Sequence, residues 1–445
     1  MRDIAGKTHF APLLCFYFII FTGSVYLLFA PLDPTQRSLD SAGALAYMSL
    51  LFLTYSAILY GLARGGSKAF VIFVRSVALL MFISSSIVSY INTGAADITI
   101  VRYIQYMLTI SLGLLLSSQY DLDDVCETFF KTSLVIITAH FLLYPFLAGQ
   151  IAYDPLDRET LLGVTSYGGL FPHKSAAATV FSLSFIVSLV RFLGSSDAAR
   201  RRSSIILACG SVIAIIMAGA VGRLWSLAIG VFASLLLRAL IRGDMTRLFM
   251  ITGAALLGAI ALVSIGADSL LSSFGRSADL TGRQDLFELW PRFFLERPLF
   301  GYGYDGFFTG VIGAPADYLS GIIPGHGTYG TFESSYLDIL IQFGIVGGSL
   351  FGCILFAALW RSMQIYRTSV SKYKFVPLFI IIWTLAGSLS DSGLLTENFI
   401  ICVLVFWIYF GVSHPSGYRR SAPDRFVPAL LRGRLRNVDR QDPQS

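Results

Sequence analysis

Apolar runs of about twenty residues recur along this chain, and no other feature limits its fold as strongly. In hydrocarbon a backbone must satisfy its own hydrogen bonds, so such runs fold as helices that cross the bilayer. The runs place spans at about 9–30, 41–63, 69–92, 98–117, 127–148, 175–194, 203–222, 223–241, 248–266, 332–360, 375–389 and 395–413. The expected fold is all-α, a polytopic membrane helical bundle of about twelve transmembrane helices. Residues 1–266 would hold the first nine, 267–331 a large periplasmic loop with interfacial helices, 332–413 the last three, and 414–445 a basic cytoplasmic tail. The first run starts near His9 and has no small-residue cleavage site followed by a soluble domain, so it reads as a retained span rather than a signal peptide.

Charge explains the orientation. Of 445 residues only 13% are charged, about half of what a soluble chain carries. A net charge of +6 raises nucleic acid as a partner, but the placement of the cations argues against it. Arg64 and Lys68, Arg200 to Arg202, Arg242 and Arg247, and Arg361 to Lys374 fall in alternate loops. Lys and Arg in alternate short loops mark the cytoplasmic side, which leaves both termini cytoplasmic in a bacterial inner membrane. The tail after His414 is polar and rich in Arg, and reads as a disordered topogenic anchor against anionic lipid. The five cysteines lack metal-ligand spacing, no disulfide is expected, and no Asp/His cluster suggests a metal.

Two expected periplasmic segments are long, about 148–174 and 266–331, and loops of that length are usually functional. In the second, Leu286, Phe287, Leu289, Trp290, Phe293 and Phe294 recur at helical spacing beside polar Arg283, Glu288, Arg292 and Glu296. This reads as a helix in the membrane interface, with Pro291 kinking it or starting another. It is either a lid packed on the bundle or a platform for a lipid-linked substrate. Glu333 stands at the mouth of a span, where partial burial would make it a useful base; the alternative is a helix cap. His173 and Lys174 lead into the sixth span and Arg223 into the eighth, with Arg102 just inside the fourth. Such cations grip a diphosphate or merely snorkel to headgroups. His326, in a Gly-rich stretch, is a base candidate or an ordinary loop histidine.

The late segment resembles the O-antigen ligase and Wzy-type polysaccharide polymerase family, the C-type glycosyltransferase-like membrane proteins, and its exopolysaccharide polymerases in particular. The matching residues are Gly282-Arg283…Trp290, Pro298-Leu299-x-Gly301-x-Gly303…Phe307 and Glu333-Ser334-x-Tyr336-Leu337…Gly344…Gly347. Phe171-x-His173-Lys174-Ser175 is similar to the family's Phe-x-His-Lys-Asn element, and Gly222-Arg223 to its Ser-Arg element. The likeness covers about residues 160–360. It departs where the family usually has His-Asn and this chain has Glu333-Ser334. A carboxylate would then act as base, or His326 would reach the site.

The resemblance implies an inverting glycosyltransferase that needs no metal, cofactor or nucleotide sugar. Its donor would be a polyprenyl-diphosphate-linked glycan, and a flippase and a chain-length regulator of the same pathway would be its partners. Glu333, Arg283 and Arg223 would be catalytic. His173, Lys174, Arg102, Arg292, Tyr336 and His326 would bind substrate. Polymerisation of repeat units is the first reading; ligation of glycan to lipid A core or another acceptor shares its chemistry. A secondary transporter is the alternative from another class. It is disfavoured because the longest loop falls late and the basic link 61–68 lacks an Asp.

Overall fold

A computed structural model describes residues 11–24, 41–93, 97–147, 167–171, 174–246, 248, 250–253, 283–308, 331–389, 391–396 and 399–411. Its helices are α1 (Ala11–Phe21), α2 (Ser41–Val74), α3 (Val77–Thr93), α4 (Asp97–Gln119), α5 (Leu122–Leu147), α6 (Lys174–Gly194), α7 (Ala198–Ala218), α8 (Val221–Arg242), α9 (Arg283–Glu296), α10 (Ser335–Thr368), α11 (Val376–Gly387) and α12 (Ile400–Phe410). Together they form a polytopic helical bundle. Seven helices among the described residues are long and apolar enough to cross a membrane: α2, α4, α5, α6, α7, α8 and α10. Residues 254–282, which include most of the expected ninth span, lie outside the described residues.

Local signals explain the helix boundaries. Asp197 caps α7 by accepting from the Ala199 amide at 3.1 Å. Gly219, at φ 64°, ends α7 and lets the chain turn within two residues into α8. Arg223 therefore sits in the first turn of α8 rather than at a loop edge. The expected link at 64–68 is instead a kink: helix continues through it to Val74 and breaks only locally at Gly66 (φ 53°, ψ −132°). α11 and α12 have 12 and 11 residues, too short to cross alone. Between them Ser388, Leu394 and Leu395 are buried against the bundle.

α12 is the centre of the core, buried along its whole length from Ile400 to Phe410. It packs on α4, where Gly113 brings the backbones together; a Cβ there would meet the Trp407 nitrogen at 2.8 Å. α8 crosses α11 at Gly230, where a Cβ would stand 2.9 Å from the Trp383 Cβ. Phe82 of α3 packs edge-on against Phe343 and Phe351 of α10. By contrast, Phe52, Leu53 and Tyr60 of α2 and Ile206 of α7 are exposed, the exterior a bilayer would cover.

One end of the bundle is closed by a carboxylate shared between two cations. Glu127 of α5 takes Arg191 of α6 at 3.2 Å and Lys372 of the α10–α11 turn at 2.6 Å. Arg191 also donates to the Arg200 carbonyl and to Ser203 and Ser204, each at 3.0 Å. Glu127→Ala would leave two cations facing each other without their anion. Breaking a buried pair costs ~3–5 kcal/mol, and partial exposure of Glu127 and Lys372 lowers that figure. The expected result is a lower thermal midpoint in detergent; an unchanged midpoint would show that solvent already screens the network.

Candidate functional site

The opposite end gathers the N-termini of α8 and α10, the C-terminus of α11 and the described residues 388–389 and 391–396 that follow it. Arg223 is 4% exposed. Its Nη2 meets Asp391 Oδ2 at 2.5 Å, and its guanidinium lies 5.6 Å from the centre of the Trp383 ring. Gly387 leaves the space the arginine needs, since a Cβ there would stand 3.0 Å from Nη1. Nε of Arg223 is buried without a hydrogen-bond partner. A buried arginine donor left unmatched is costly, so an acceptor supplied from outside would be favoured there.

The first turn of α10 is stapled to the same segment. The Ser335 amide donates to the carbonyls of Ser388 and Asp391, both at 3.0 Å, and its hydroxyl donates to the Asp391 carbonyl at 2.7 Å. Asp338, 1% exposed, accepts the Phe332 amide at 2.8 Å on Oδ1, while Oδ2 has no hydrogen-bond partner. Glu333 and Asp391 are its electrostatic neighbours. Between these anchors Glu333 adopts φ 57°, a region non-glycine residues rarely occupy. Such strain persists only where the surroundings over-determine it, and it concentrates at functional sites. Glu333 is thus held by bonds on both sides, to Asp338 before it and to Ser388 and Asp391 after it.

α10 is not the continuous span expected. It breaks at Gly344 (φ 62°, ψ −168°), and residues 298–303 enter the break. Pro298 and Leu299 carbonyls accept from Ile345 and Val346 at 2.8 and 3.1 Å, and the Tyr302 and Gly303 amides donate to Ile341 and Gln342 at 2.9 and 2.8 Å. The Pro-Leu-x-Gly-x-Gly stretch is therefore a backbone strap across a broken helix. Asp305, the other non-glycine residue with positive φ among the described residues, pairs with Arg102, and its amide donates to Gln342 Oε1 at 2.9 Å. Next to it, Tyr304 stacks on Tyr106 at 5.1 Å and donates to the Leu395 carbonyl at 2.7 Å. Burial, then the Glu296 carboxylate at 2.7 Å, pushes the Tyr302 hydroxyl up, so it remains a donor.

α9 runs unbroken through Pro291. Leu286 and Phe293 are buried, and the Trp290 indole donates to the Leu337 carbonyl at 3.2 Å, so its apolar face packs on the first half of α10. Arg283 is the first residue of α9, and its side chain lies outside the described residues. Arg292 is on the exposed side. Tyr336 donates to the Leu385 carbonyl at 2.8 Å and ties α10 to α11. Lys174 opens α6 at the same end of the bundle. His173 and His326 lie outside the described residues. Among the described residues no group of three or more His, Cys, Asp or Glu is placed to hold a metal ion.

Sequence reading passed over Asp391, Asp338 and Asp305. It also passed over His140 of α5, which is fully buried against Tyr167, Phe171 and Phe181. Gly169 presses on that ring, and a Cβ there would stand 2.1 Å from Nδ1.

No protein-family model matches the chain. A relative is found among characterised proteins. The chain is similar to the exopolysaccharide production protein ExoQ of Rhizobium meliloti (strain 1021). The two are 22% identical over 286 residues, 61% of this chain. The aligned part spans 62% of ExoQ, less than two thirds of its length.

Proposed function

We propose that this chain works in exopolysaccharide biosynthesis, as a membrane glycosyltransferase that joins polyprenyl-diphosphate-linked repeat units at the periplasmic face. The likeness to ExoQ supports the pathway. Arg223 carries the chemistry: a buried guanidinium with an unpartnered Nε, half matched by Asp391, which with the strained Glu333 neighbours Asp338. Buried cations and carboxylates at the end of a helical bundle suit a lipid diphosphate, whose headgroup lies at that depth.

In the proposed reaction an acceptor hydroxyl oxygen attacks the anomeric carbon of the donor glycan. The bond from that carbon to the diphosphate oxygen breaks, and its electron pair leaves with the lipid diphosphate. Arg223, with Arg283 and Lys174, neutralises that charge as it develops, the interaction that gives large rate effects. Glu333 takes the hydroxyl proton. Asp338 positions it through the Phe332 amide. One displacement inverts the anomeric centre.

The test is purified full-length protein with polyprenyl-diphosphate-linked repeat units, with and without chelator. A ladder of products extended by whole repeat units, unchanged by chelator, is expected. Transfer of preformed chains to lipid A core without extension would make the protein a ligase. Uptake of solute by proteoliposomes with no glycan product would make it a transporter.

A further inference from the structure

The end of the bundle remote from Arg223 holds a second group of cations, and among the described residues these form no ion pair. Arg238 and Arg242 lie one turn apart on α8, so their side chains leave the same face. The Arg238 guanidinium is 5.5 Å from the centre of the Phe375 ring, and its Nε is buried without a hydrogen-bond partner. Arg242 donates from Nε to the Tyr366 hydroxyl at 2.7 Å and lies 6.0 Å from that ring. Lys374 Nζ is 5.9 Å from the same ring. Tyr366 and Phe375 are themselves in contact, with centroids 5.9 Å apart. Three cations thus surround one aromatic pair.

None of the three forms an ion pair among the described residues, although Asp244 lies two residues beyond Arg242. At the same end Arg191 and Lys372 share Glu127, so the fold supplies a carboxylate where it matches cations internally. Like charges one turn apart repel, and contact with ring faces returns only part of what pairing would. The Tyr366 hydroxyl fixes the direction of the Arg242 fork, an ordering that a purely topogenic arginine does not need. The group lies where the candidate spans 222–242 and 335–368 end, the level at which lipid headgroups would meet it.

We propose that Arg238, Arg242 and Lys374 form a binding site for the phosphate of an anionic membrane lipid, on the leaflet away from the reaction site. Two guanidinium forks and a point charge suit a phosphate oxygen set, and the Phe375–Tyr366 pair forms the floor. A lipid is favoured over free phosphate because the helices that carry the site are themselves spans.

The experiment follows the thermal midpoint of the full chain in neutral detergent with phosphatidylglycerol, phosphatidylcholine or sodium phosphate at equal concentration. Phosphatidylglycerol should raise the midpoint; phosphatidylcholine and phosphate should not. Arg238→Gln/Arg242→Gln/Lys374→Gln should lose the shift, and Arg242→Gln alone, at an exposed side chain, should reduce it if the triple variant does not fold. An equal shift with phosphatidylcholine, or a full shift in the foldable variant, overturns the site. A shift reproduced by phosphate alone overturns the lipid as its ligand.

Discussion

Replacing Arg223 with alanine is expected to lower the rate of glycan transfer by about 10²–10³-fold, the range seen when one donor to a developing negative charge is removed. The reason lies in its surroundings. A guanidinium with 4% exposure has lost its water, so its field on a bound diphosphate is little screened. Stability should suffer less than rate. The Asp391 side chain is 20% exposed and can turn to solvent once its partner is gone. The Ser335 bonds to the Asp391 carbonyl stay in place. Arg223→Lys keeps the charge but loses Nε and the two-point geometry, and should fall between alanine and the unaltered protein. Glu333→Gln should lower the maximal rate with little change in half-saturation, since the amide keeps the shape and loses the base. Initial rates on a lipid-linked repeat unit, normalised to protein in the membrane, decide the matter. A normal rate in both Arg223→Ala and Glu333→Gln would move the chemistry elsewhere in the fold.

The helical membrane fold was plain from the apolar runs, because burying or lipid-facing a backbone leaves few choices. The partners of the site were not. Asp391 lies between two short helices and no motif marks it; only the packing of α8 on α11 brings it to Arg223. Asp338 stands on the same helix as Glu333 and was overshadowed by it, yet it is the one sealed from water. Glycines told a similar story. Gly301, Gly303 and Gly344 were visible as a pattern, but pattern alone does not say that one strand of chain crosses another. Tyr336 gains a second role that its motif does not show: its hydroxyl donates to the Leu385 carbonyl and ties α10 to α11.

That crossing makes the second large prediction. At Gly344 a Cβ would stand 2.3 Å from the carbon and oxygen of Leu299 and 2.5 Å from the Phe300 nitrogen. At Gly301 it would stand 2.5 Å from the Ile341 oxygen. All of these are backbone atoms, so no side chain can turn aside, and both positions also have positive φ. Gly344→Ala should therefore expel the 298–303 strap from the break in α10. The four backbone bonds that join them would be lost, and each exposed amide or carbonyl left in the bundle costs ~1–3 kcal/mol. Arg102 and Gln342 would lose Asp305, and the mouth of α10 would lose its cover. The expected outcome is a sharp fall in folded protein as well as in polymer, and Gly301→Ala should match it. Gly352, on the same helix, has nothing within 4 Å of its would-be Cβ, so Gly352→Ala should leave both unchanged. Detergent-extracted yield and thermal midpoint separate the cases. A Gly344→Ala protein as stable as Gly352→Ala would mean that the strap does not cross the helix at that point.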